Sequence, residues 1–154
     1  MPASKLLVNN KAIINKGRES PLGGALENGN IEMAKLLLNN GANKNYKQVN
    51  CVLSSILEPF NNLIIFMGKC RDNKQNWINV LINNGSFANE DELFKFIEYI
   101  IPDDINSESS AYTSLLHNIA KIPHNRRLID IFINRKASFI KMCNNKYPFD
   151  VARE

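Results

Sequence analysis

Four phrases of one build recur along the chain: KLLVNNKAIIN at 5–15, KLLLNNGANKN at 35–45, NVLINNGSFAN at 79–89 and DIFINRKASFI at 130–140. Each sets apolar residues before a polar stretch, then Gly or Lys, then Ala or Ser. A short helical unit repeated in this way cannot bury its apolar stripe alone, so its copies must cover one another. This narrows the fold to stacked helices. Gly41 and Gly85 stand where a helix C-terminus favours a left-handed residue without a Cβ. Lys11 and Lys136 stand there in the other two phrases, so those ends are expected to be less favourable.

A second phrase recurs between them: SPLGGALENGN at 20–30, SLLHNIAKIPHN at 114–125 and YPFDVARE at 147–154. Ser20 followed by Pro21 is a helix start, a hydroxyl N-cap and then Pro at the first helical position. Ser114 opens the same offset, and Tyr147-Pro148 repeats it 33 residues later. Within the second helix of the first pair, Ile31, Ala34 and Leu38 form the expected stripe, flanked by Met33 and Leu37. Trp77, Ile78 and Leu81, and Leu128, Ile129 and Phe132, are the matching groups.

The segment SPLGGALENGNIEMAKLLLNNGANKN resembles the ankyrin-repeat pattern: a T-P-L-H-x-A-type first helix, a tight turn, a second helix, then G-A-D-x-N. SLLHNIA at 114–120 is similar to T-P-L-H-x-A-A, with Leu115 in the Pro place and His117 kept, and the 33-residue interval is the ankyrin period. The resemblance implies an all-α fold, an ankyrin-type helical solenoid of stacked helix-turn-helix repeats with finger loops, irregular in the middle. As one domain over 1–154 it divides into 5–15, the end of a repeat or a cap; 16–48, a full repeat; 49–89, a repeat with an insertion; 90–112, an inserted helix and loop; 113–145, a full repeat; and 146–154, the start of a further repeat or a cap. The ends are abbreviated caps or the edges of a longer protein. In 49–74 two registers compete: NCVLSSILE at 50–58 as the inner helix, or NNLIIFMGK at 61–69. The second is preferred, because Met67 and Gly68 then fall where small or apolar residues pack against a neighbouring repeat. DELFKFIEYI at 91–100 reads as the inserted helix, with Phe94, Ile97 and Ile101 on one face and Pro102 stopping it.

Composition sets the remaining limits. The hydrophobic fraction is 44% and the charged fraction 22% of 154 residues, which is globular rather than disordered. No apolar run approaches the ~20 residues of a membrane span. The opening MPASKLLVNNK has no apolar core, so no secretory signal is expected. Cys51, Cys70 and Cys143 are odd in number and far apart, without metal-ligand spacing, which argues against a disulfide or zinc framework. A net charge of +4 is too small to imply nucleic acid by itself. With 24 Asn, 18 Ile and 13 Lys dispersed along the chain, the composition carries the imprint of an AT-rich genome. Its style is similar to ankyrin proteins of intracellular bacteria and large DNA viruses, which implies an intracellular protein, in one version delivered into a host cell.

By the same resemblance the chain binds a protein partner, as a monomer, through finger-loop tips and the concave face of the first helices. The tip residues are Arg18, Tyr46, Lys47 and Lys141, with Tyr46 as anchor because Tyr is enriched at binding hot spots. No catalytic residue, cofactor, metal or membrane is expected. His117 reads as a structural histidine, His124 as a solvated turn residue and the cysteines as packing. Gly23-Gly24 lies inside a helix and is no phosphate loop. Arg126, Arg127, Arg135, Lys136, Lys141 and Lys146 make the last full repeat basic. The preferred reading is a solvated face; an acidic-ligand or nucleic-acid site is the alternative, as is a non-catalytic accessory region of a larger enzyme.

Overall fold

The computed structural model describes residues 20–45, 58–103 and 117–137. Among these the protein is all-α, without a strand. Six bounded helices follow in order: α1 Pro21–Glu27, α2 Ile31–Asn39, α3 Glu58–Asp72, α4 Trp77–Gly85, α5 Glu90–Ile100 and α6 Arg126–Asn134. Residues 117–121 are helical as well.

The helix starts follow from local chemistry. Ser20 Oγ accepts from the amide of Gly23 at 3.2 Å, and Pro21 occupies the first turn, where its missing N–H costs nothing. Asn30 caps α2 by accepting from Met33 N, and Asn89 caps α5 by accepting from Glu92 N. Glu90, Asp91 and Glu92 crowd the first turn of α5, where the helix dipole favours negative charge.

The joints share one geometry. Gly29, Lys74 and His124 each take a left-handed conformation between paired helices, with φ of 68°, 57° and 55°. The second helices also end alike. Gly41, Ser86 and Lys136 are left-handed, and the next amide, of Ala42, Phe87 or Ala137, donates back five residues to Leu37, Ile82 or Phe132. That bond satisfies a carbonyl the helix leaves open, and the apolar residue after it turns inward. Lys136 thus stands in the glycine position as the phrase predicts. Gly85 does not: it is the last residue of α4, and Ser86 makes the turn. What holds glycine at 85 is space, since a Cβ there would meet Ile31 Cγ2 at 2.8 Å and the Phe87 ring.

One continuous apolar core joins the helices. α1 packs on α2 and on α3, α2 on α4, α3 on α4, and α4 on α5. Phe60 of α3 meets Phe132 of α6 with ring centroids 5.9 Å apart, and Trp77 of α4 meets Phe94 of α5 at the same distance. In α2 the fully covered residues are Ile31, Ala34 and Leu37. Leu38, expected in the stripe, is only partly covered, because the neighbouring helices lie toward the Leu37 side.

The pairs α1–α2 and α3–α4 are not related by a simple translation. Equal stacking would set the end of α4 beside the end of α2. Instead Lys35 Nζ donates to Gly85 O at 2.9 Å, Asn84 Nδ2 to Gly29 O at 3.2 Å and Ser86 Oγ to Glu32 Oε1 at 2.8 Å. The C-terminus of α4 therefore meets the start of α2. Helix α3, at 15 residues, contains the preferred 61–69 register; 49–57 lie outside the described residues.

Helix α5 buries Phe94, Ile97 and Ile101, the expected face, together with Leu93 and Ile100. Arginines of the third pair fasten both its ends. Arg127 pairs with Glu90 at 3.4 Å and Asp91 at 3.0 Å and lies 4.3 Å above the Phe94 ring. Arg135 donates to Glu98 O at 2.7 Å and to Ile101 O and Pro102 O, carbonyls that the end of a helix leaves unpaired. The solvated-face reading holds for Arg126 and Lys136, which are exposed, but not for Arg127 and Arg135, which bond to α5.

Candidate interaction groove

A groove of about 260 Å³ runs between α3 and the helical residues 117–121. Its floor is Ile64, Ile65, Gly68 and Ile122; Arg71, Asp72, Asn118 and Lys121 stand at its edge. The floor is a consequence of the run Leu63-Ile64-Ile65-Phe66-Met67. Five consecutive apolar residues go once around a helix and beyond, so no single neighbour can cover them all. Leu63, Ile64 and Met67 enter the core, and Ile65 remains 39% exposed. Gly68, one turn from Ile64, contributes no side chain, and nothing lies within 4 Å of where its Cβ would be. The expectation that Gly68 packs tightly against a neighbour is corrected here: it opens the groove.

Two bonds hold the walls together. Arg71 donates to Lys121 O and Trp77 Nε1 to Pro123 O, each at 2.8 Å. They draw the turn after α3 beside the turn before α6. Both spans are long in sequence, so the groove's width is a property of packing rather than of either helix.

Cys70 is buried in the α3 core face, and burial pushes its thiol pKa up, away from the nucleophilic thiolate. His117 is 6% exposed and hydrogen-bonded or otherwise engaged. His124 is exposed in its turn, as expected. Gly23 and Gly24 lie in α1. Among the described residues no three His, Cys, Asp or Glu side chains gather as metal ligands would, and no helix is long and apolar enough to cross a membrane. Arg18, Tyr46, Lys47 and Lys141, the predicted tips, lie outside the described residues, as do Cys51, Cys143 and Lys146.

The chain matches no family model, no curated protein and no solved structure. Its function therefore has to be argued from the groove itself. Sequence reasoning passed over Ile65 and gave Gly68 a packing role, although the over-long apolar run around Ile65 was the available signal.

Proposed function

We propose that this chain is a protein-interaction module, an irregular ankyrin-type stack that takes a protein partner between its first helices. The observation that carries the reading is the apolar floor with exposed Ile65, set between α3 and residues 117–121. Apolar surface left open in a concavity and ringed by polar side chains is the usual anatomy of a binding site. The family reading draws support from the shared left-handed joints at Gly29, Lys74 and His124 and from the three identical second-helix ends.

On this reading the finger tips Arg18, Tyr46, Lys47 and Lys141 extend the same surface, and the partner is a protein inside the cell, in one version a host protein. A photo-crosslinking residue at position 65 tests it directly. It should capture a discrete protein from cell lysate that the same group at Lys95, on the exposed side of α5, does not. Equal capture at both positions would count against the groove.

A further inference from the structure

We infer that the groove is built for an acidic protein segment anchored by an aliphatic side chain, with the segment's carboxylates lying over the paired turns at 73–76 and 122–125. The inference rests on the interaction reading above and adds the chemistry of the partner. Arg71 and Lys121 line the groove beside the acid Asp72, and Lys74 and Arg126, in the turn after α3 and at the first position of α6, are exposed as well. Arg71 and Trp77 bond across to the backbone of Lys121 and Pro123, so these cations stand on two turns fixed side by side. Among the described residues the ion pairs are Lys44–Asp103, Lys69–Glu27 and Arg127 with Glu90 and Asp91; none uses these four cations. Helix C-termini favour cations through the dipole, which explains a basic residue at each end. It does not explain why Arg71 and Lys121 border an open aliphatic floor.

A protein segment fits this combination better than a nucleic acid. Single strands are held by aromatic side chains that stack on bases, whereas the floor is Ile64, Ile65, Gly68 and Ile122. Exposed rim charges speed encounter and choose partners by sign, and a buried aliphatic anchor holds the complex once formed.

The test selects peptides from a random display library on the full-length chain and synthesises the winners. The expected winners carry one or two aliphatic residues flanked by Asp or Glu. Gly68→Leu fills the groove at a site with open space around the new side chain, so folding is retained and binding should be lost. Lys74→Asn with Lys121→Gln removes two rim charges; Asn suits the left-handed backbone at 74. That pair should weaken binding about tenfold at low salt and flatten its salt dependence. Winners without acidic bias, lost on Gly68→Leu but untouched by the charge variants, would overturn the acidic partner and leave the groove standing. No winners, or winners indifferent to Gly68→Leu, would overturn the groove as well. Displacement of the peptides by a generic DNA duplex, with a steep salt slope, would turn the site over to nucleic acid.

Discussion

Gly29 and His124 occupy the same left-handed joint in two helix pairs, yet the two side-chain positions have opposite surroundings. At Gly29 the ring of Phe66 fills the space a Cβ would need, and φ is 68°. Gly29→Ala should therefore cost about 1–3 kcal/mol in urea unfolding, from backbone strain and overpacking together. His124 is exposed, and its imidazole has no such neighbour to displace. His124→Gly relieves the left-handed penalty while loosening the unfolded chain, so a net gain of about 0.5 kcal/mol is expected. Stability unchanged in both variants would contradict the geometry. The sequence alone pointed to Gly41 and to Lys136, because helix ends repeat within their phrases. It misassigned Gly85, because the reason for that glycine is Ile31, a residue from another helix pair. Cys70 makes a further residue-scale claim. Its burial and raised pKa predict that an alkylating reagent labels it only after denaturation; mass spectrometry of peptides from the native and unfolded chain reads this out. Native labelling would show that α3 opens.

At the scale of elements, α5 is the instructive case. Its amphipathic face and its Pro102 stop are written in the contiguous stretch 90–102, and both were legible. Its fastening was not, since Arg127 and Arg135 come from more than thirty positions away. The two arginines should differ in weight. Arg127 forms exposed ion pairs, which are screened by water and contribute about 0–1 kcal/mol. Arg135 reaches three carbonyls at the partly covered C-terminus of α5. Removing that charged donor should cost about 1–2 kcal/mol. Hydrogen exchange in Arg135→Gln should accelerate in the last turn of α5, and Arg127→Gln should leave that turn protected. Equal loss of protection in the two variants would mean that the clamp is not where the geometry puts it.

At the scale of the molecule, the all-α character of the described residues was readable, because capping and apolar spacing act locally. The stacking offset was not, because it depends on how Gly85 and Ile31 meet. One long-range link makes the assembled structure sensitive to acid. Asp103, after α5, accepts from Lys44 Nζ at 3.0 Å and from Asn45 Nδ2 at 3.2 Å, after α2. The Lys44 hydrogen bond, then that of Asn45, holds its carboxyl below the usual carboxylate range. A carboxylate with a lowered folded pKa stabilises the protein fully above its unfolded value of about 3.9. That contribution fades as pH falls through the folded pKa. The wild type should thus exceed Asp103→Asn in stability at neutral pH, and the two should converge in acid. A constant gap across chemical-denaturation curves from neutral to acidic pH would refute the link.

The capture of α5 by Arg135 also sets an order of assembly during synthesis. The carbonyl of Glu98 leaves the ribosome 37 residues before the guanidinium that binds it. At about 5–20 residues per second, the end of α5 waits roughly 2–7 s for that partner. Phe94 likewise waits for Arg127, the cation that later covers its ring, which emerges 33 residues after it. The end of α5 therefore stays open to chaperones for those seconds, and slow codons between Glu98 and Arg135 would lengthen its exposure.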